Sequence, residues 1–206
     1  MKLTRREFAA TTAIAGVGLA GCLGVDGDDI VLEGEDALPV PVAGDPDADV
    51  TVMVFEDFAC GGCQQFKLQI FPVLEEAYME PGLIRYEHRD RPLSGTGEWS
   101  FPVAGAARSV QDQEGDDAFW EFASEIYTYL GEYSYDRIET VADDLGFDGE
   151  QVRRDAEEGT YEEELAIERD RAADAGVNST PTVVVDGSTV ELSLEEIQEA
   201  IDDALE

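Results

Sequence analysis

Cys60-Gly61-Gly62-Cys63 places two thiols one helical turn apart, and this is the stretch of the chain with the most evident chemistry. Such a pair can hold a metal, staple a turn or cycle between dithiol and disulfide. The sequence has three cysteines in all, the third being Cys22, and one histidine, His88. With Cys22 assigned to another task below, the pair and His88 fall short of the four ligands that a structural zinc site takes. A staple closing so short a loop removes little chain entropy. A redox pair therefore remains, with a carrier that holds soft Cu(I) on Cys60, Cys63 and His88 as the rival from another class.

The surrounding residues say how the pair would be held. Thr51 to Phe55 form a strand-type apolar run, expected to be buried on both faces as in a parallel sheet. After it, Cys63, Phe66, Ile70, Leu74 and Tyr78 fall on one inward helical face, which Pro72 is expected to kink. Cys60 then lies at the helix N-terminus, where free N–H groups and the helix dipole favour a thiolate. Cys63, facing inward, becomes the resolving thiol. Farther on, Thr180-Pro181 precedes a strand at Thr182 to Val185, and Asp186-Gly187 turns the chain into Ser188 to Leu192. Ser193, with Glu196 at the box position, caps a last helix whose apolar face is Leu194, Ile197, Ile201 and Leu205.

From Pro39 to Glu206 the sequence resembles the thioredoxin superfamily, and within it the DsbA-like thiol:disulfide oxidoreductases. "AGDPDADVTVMVFEDFACGGC" is similar to the family's first strand and active-site turn. "AADAGVNSTPTVVVDG" is similar to its helix end, cis-proline loop and third strand. The resemblance implies an α/β, thioredoxin-like fold in one domain over residues 39–206, a mixed β-sheet flanked by helices. The helical insert of such proteins would be residues 97–161, where Phe119, Phe122, Ile126 and Leu130 recur at helical spacing and two shorter helices follow. Those aromatics are expected in the core rather than in a client groove. The resemblance further implies a redox disulfide between Cys60 and Cys63, and a cis Pro181 lying against the pair. Thr180 would offer backbone groups to an extended client by strand addition. Exported proteins with thiols or disulfides would be the clients, with a separate redox partner and no cofactor. Reductases and isomerases share the fold, so the direction of electron flow stays open.

The chain departs from the family at two places. Many relatives bury an acid six residues before the first cysteine, where Val54 stands here. Glu56 points to the same side of the strand and is the candidate proton relay, although a solvated strand-end carboxylate is the expected outcome. Gly61-Gly62 replaces the proline and histidine of strongly oxidising relatives, so the thiolate should be less favoured than in them. His88, on one strand face with Ile84 and Tyr86, is expected to be packed or at a strand end rather than catalytic. Asn178-Ser179-Thr180 fits a glycosylation acceptor, but a glycan there would crowd the client site, and the match is taken as chance.

The N-terminus reads as an address. Thr4-Arg5-Arg6-Glu7-Phe8 resembles a twin-arginine export signal, and Leu19-Ala20-Gly21-Cys22 a lipobox. The apolar stretch from Ala9 to Gly21 falls short of the roughly 20 residues that span a membrane. The expectation is a signal peptide over residues 1–21, a lipid on Cys22, and an acidic flexible tether over residues 22–38. The protein would then be anchored to the outer face of the cell membrane. The composition sets 48 acidic residues against 13 basic ones, for a formal charge of −35. Nucleic acid and anionic membrane surfaces are excluded as partners. Spread along segments that also carry core residues, this acidity fits a halophilic, haloarchaeal-type surface, because at 1 M salt the screening length falls to about 3 Å.

Overall fold

A computed structural model describes residues 29–93, 95 and 97–206. Its centre is a five-stranded sheet of order β1-β3-β2-β4-β5, formed by β1 (Val42–Gly44), β2 (Val50–Glu56), β3 (Ile84–Asp90), β4 (Thr182–Val185) and β5 (Ser188–Val190). β2 and β3 run parallel, and the other pairs are antiparallel. This is a thioredoxin-like fold with a mixed sheet and a helical insert, as the sequence implied.

Side chains alternate across β2 and supply two cores. Val50, Val52 and Val54 enter the large core with the active-site helix and the insert, while Phe55 enters a small one with Ile30, Ala172, Val177 and Val184. The active-site helix begins as α1 (Gly61–Gln65) and continues through a π-helical turn (Phe66–Ile70), α2 (Phe71–Leu74) and a second π-helical turn (Glu75–Met79). Pro72, at the start of α2, has no N–H to give and would crowd the preceding turn of a tight helix. The wider π turn just before it accommodates that defect, so the expected disturbance takes the form of π bulges.

The insert comprises α3 (Ser100–Glu114), α4 (Asp116–Ile126), α5 (Tyr135–Asp144) and α6 (Gly149–Glu158). Phe119, Phe122 and Ile126 of α4 lie in the large core, as expected of packing residues. Helix α3 had no clear signal in the sequence, because most of its buried residues, among them Ala104, Gly105, Ala106, Ala107 and Ser109, are small, and Arg108 is charged. Helix α7 (Glu162–Asp174) leads back to the sheet, and α8 (Leu194–Ala204) closes the chain with Ser193 Oγ accepting from Glu196 N–H at 3.2 Å.

The tether requires a correction. Residues 29–38 were expected to be flexible, but Ile30 is buried and its N–H donates to Gly187 O at 2.7 Å. Asp36 accepts from Arg89 and Arg171, each at 2.8 Å, and Arg171 also donates to Glu33 O at 3.0 Å. An apolar residue that fills the small core and an aspartate between two arginines outweigh a composition that reads as solvated. β1 was likewise missed, being a short edge strand in Gly- and Pro-rich surroundings. The export motif, the lipobox and Cys22 lie outside the described residues. Among the described residues no helix is long and apolar enough to cross a membrane.

Candidate active site

β2 ends at Glu56, and the chain turns through Asp57, Phe58 and Ala59 into the helix. The Asp57 carboxylate fixes that turn by accepting from Ala59 N–H at 2.9 Å, Leu93 N–H at 2.9 Å and the Ser100 hydroxyl at 3.1 Å. Tyr133 donates from its hydroxyl to Phe58 O at 2.9 Å. The result is that Cys60 stands at the N-cap in extended conformation, half-buried, and Cys63 lies fully buried in the first turn.

Thr180-Pro181 is a cis peptide that leads into β4, the neighbour of β2, and faces the pair. Cys60 Sγ lies 3.3 Å from Thr180 O. Gly62 permits this approach, since a Cβ there would stand 3.1 Å from Pro181 Cδ. Cys60 and Thr180-Pro181, 120 residues apart in sequence, thus meet, with Cys63 buried one turn behind.

The two thiols are electrostatically unlike. The Cys60 thiol is held down at about 5, first by donation from the Cys63 S–H, then, against the effect of burial, by Thr180 and the N–H groups of Cys63 and Gly62. Burial, its hydrogen bond to Cys60 and the charge of Glu56 push the Cys63 thiol far up, although Asp57 N–H points at its sulfur from 3.4 Å. At neutral pH the reduced pair is therefore a Cys60 thiolate beside a Cys63 thiol.

Behind Cys63 lies a buried polar cluster that sequence reasoning saw only in part. Glu56, expected as a solvated strand-end carboxylate, is 2% exposed. Its Oε2 accepts from the Tyr127 hydroxyl at 2.9 Å, and its Oε1 lies 3.6 Å from His88 Nδ1. β2 and β3 pair in parallel register, which sets Val54 beside His88 and Glu56 beside Asp90. His88 Nε2 stands 3.2 Å from Asp90 Oδ1, and Asp90 Oδ2 accepts from Arg108 Nε at 2.7 Å. Burial opposes charge on His88, but Asp90 and Glu56 outweigh it and raise the imidazole. Arg108 and His88 likewise overcome burial and hold Asp90 at about 2. His88 is packed, as expected, but ion-paired on both sides. Its two nitrogens face carboxylates, and no group of three or more His, Cys, Asp or Glu among the described residues could hold a metal. The copper set Cys60, Cys63 and His88 is not assembled.

The thioredoxin family profile matches residues 37–203. The chain belongs to that family. Within it, the chain is similar to DsbA-like disulfide oxidoreductases. The probable disulfide bond formation protein D of Bacillus cereus is 29% identical over 172 residues, covering 79% of this chain and 77% of that one. The solved structure of oxidised BdbD from Bacillus subtilis superposes with a TM-score of 0.74 at 23% identity, over 81% of this chain and 92% of that one. Chlamydia trachomatis DsbA gives a TM-score of 0.71 at 20% identity, over 84% and 94% respectively.

The residues missed in sequence share a cause. Tyr127 and Arg108 come from the insert, and Asp90 finds Arg108 only across it, so none is linked to the cysteines by a local pattern.

Proposed function

We propose that this chain is an extracytoplasmic thiol:disulfide oxidoreductase whose redox pair is Cys60 and Cys63. The observation that carries the reading is the asymmetry of the pair, an accessible, acidic Cys60 at a helix start over a buried, protonated Cys63. A client thiolate attacks Cys60 Sγ of the disulfide, the S–S bond breaks, and its electron pair leaves on Cys63. A second client thiolate then attacks the client sulfur of the mixed disulfide, and Cys60 leaves as its stabilised thiolate. That stabilisation favours the reduced enzyme and hence donation of disulfides to clients. The names of the relatives, disulfide bond formation proteins, point the same way.

Thr180 supports client binding, since its backbone borders Cys60 and can pair with an extended chain. Glu56, buried behind Cys63, is placed to relay that thiol's proton. Export by the twin-arginine route and a lipid on Cys22 rest on Arg5, Arg6 and the Leu19 to Cys22 motif. Trapping tests the chemistry: Cys63→Ser should accumulate mixed disulfides between Cys60 and exported proteins, and their absence would defeat the reading. Fractionation tests the anchor, because Cys22→Ser should move the protein from membrane to medium.

A further inference from the structure

Arg91 stands where β3 leaves the sheet, and it has no task in the exchange as written. It is 6% exposed, and among the described residues it makes no salt bridge. Its Nε donates instead to a peptide carbonyl, Val177 O, at 3.0 Å, while its N–H donates to Glu56 O at 2.8 Å. Burial first, and then the charge of Arg169, weaken its hold on the proton, against Asp170 and Asp57. In a chain with 48 acidic residues, a buried guanidinium aimed at a carbonyl is unusual, since buried charges are ordinarily paired. What that carbonyl leads to gives it a use. Helix α7 ends at Asp174, and Val177 N–H still returns to Ala172 O at 2.9 Å. Three residues farther along, the same loop presents Thr180, whose O stands 3.3 Å from Cys60 Sγ. In the other direction, Pro92 has no N–H to give and disfavours a helical backbone at Arg91. Leu93 N–H then donates to the Asp57 carboxylate at 2.9 Å, and Asp57 O accepts from Cys60 N–H at 2.9 Å. Residues 91–93 therefore grip both sides of the site, the Cys60 turn through Leu93 and the Thr180 loop through Arg91.

We propose that Arg91 sets the gap between Cys60 and Thr180 and so holds the Thr180 backbone ready for an extended client. This deepens the reading of Cys60 and Cys63 as a redox pair served by Thr180, and it rests on that reading. Strand β2, which delivers Cys60, lies between β3 and β4, so a tie from the end of β3 to the loop before β4 passes the end of β2. Arg91 is a positioning residue that acts through this loop and not on the sulfurs. With the Val177 carbonyl held, the Thr180 backbone is in place before a client arrives, and the client alone loses freedom on pairing with it. Without that bond the client must also order the loop. Affinity for an extended chain should then fall, while the sulfur chemistry, set by the helix start and Cys63, should not.

The test reduces the oxidised protein in single turnovers with three reagents: an extended peptide carrying two cysteines, the same peptide N-methylated beside them, and dithiothreitol. Arg91→Lys keeps the charge and puts a methylene where Nε stood. It should raise the half-saturating peptide concentration about tenfold, the scale of one charge-assisted hydrogen bond, and leave the limiting rate and the dithiothreitol rate within about twofold. Against the N-methylated peptide, which cannot pair fully with Thr180, variant and wild type should differ little. Equal losses with all three reagents would mean that Arg91 only holds the fold, and would overturn the proposal. An unchanged half-saturating concentration would overturn it too. Should Arg91→Lys not fold, Arg91→Met, which lacks the charge that burial and Arg169 oppose, carries the same three comparisons. Wild-type protein that fails to oxidise the peptide, or that oxidises the N-methylated form equally well, would instead defeat the underlying reading.

Discussion

Cys60 and Cys63 are one turn apart on the same helix, yet they face opposite kinds of surroundings. Around Cys60 the stabilising groups are its immediate neighbours: the Cys63 S–H first, then Thr180 and the N–H groups of Cys63 and Gly62. Behind Cys63 the charged side chains come from separate elements, Glu56 from β2, His88 and Asp90 from β3 and Arg108 from α3. A helix N-terminus and the second thiol one turn away favour a reactive thiolate through short-range contacts. Handling the proton of a buried thiol takes a charged interior, which is costly and must be paired with care. The front of the site is thus built from geometry, and its back from chemistry.

The strongest way to break this comparison is to exchange the roles of the thiols. Cys60→Ser should reduce disulfide exchange to background. In the reduced wild type, iodoacetamide should modify Cys60 with a midpoint near pH 5 and leave Cys63 untouched until the protein unfolds. Faster modification of Cys63 would reverse the assignment. The same shift has a stability sign. A thiol lowered on folding contributes stability that is fully present above its unfolded value of about 8.5 and is lost as pH falls through the folded value. The melting temperature of the reduced protein should therefore lose its margin over Cys60→Ser between about pH 8.5 and pH 5.

The back of the site should respond in stability rather than in reactivity. Asp90→Asn leaves Arg108 without its buried partner, a loss of about 3–5 kcal/mol by analogy with broken internal ion pairs. Urea unfolding measures it, and the Cys60 alkylation midpoint should scarcely move. A large movement of that midpoint would mean that front and back are not separable.

Redox poise should show a smaller effect. Because Gly61-Gly62 adds no donor, the potential should lie roughly between −150 and −240 mV, inside the limits set by the strongest oxidants and thioredoxin. Equilibration with glutathione reads it, and a value below about −270 mV would move the protein to the reductases. The smallest effect concerns salt. With a formal charge of −35, the surface field opposes the Cys60 thiolate in dilute buffer, where screening reaches about 10 Å or more. Raising KCl should lower the Cys60 midpoint by less than about one pH unit. A midpoint that does not move with salt would show that the surface field does not reach Cys60.

How much of this was legible depended on sequence distance. The order of strand, cysteine pair and helix was readable because Val50 to Tyr78 is governed by local periodicity and by one N-cap. The pairing of Cys60 with Thr180-Pro181 was reachable only through family resemblance, since no local rule links residues 120 apart. Glu56 was misjudged because a strand-end glutamate is ordinarily solvated. What buries it is Tyr127, delivered by an insert whose packing no periodicity describes. The docked segment at Ile30 escaped notice for the same reason, its partners being Gly187 and the small core.

The sequence by itself determined the proposed redox pair, the helix that starts at it, the acidic composition and the candidate export address, because each follows from neighbours along the chain or from composition alone. Only the tertiary structure decided which charges stand behind Cys63. A buried carboxylate, imidazole or amine is tolerated where distant elements bring partners and aromatic faces to it. That condition is set by the packing of β2, β3 and the insert against the active-site helix, and not by the identity of any one residue.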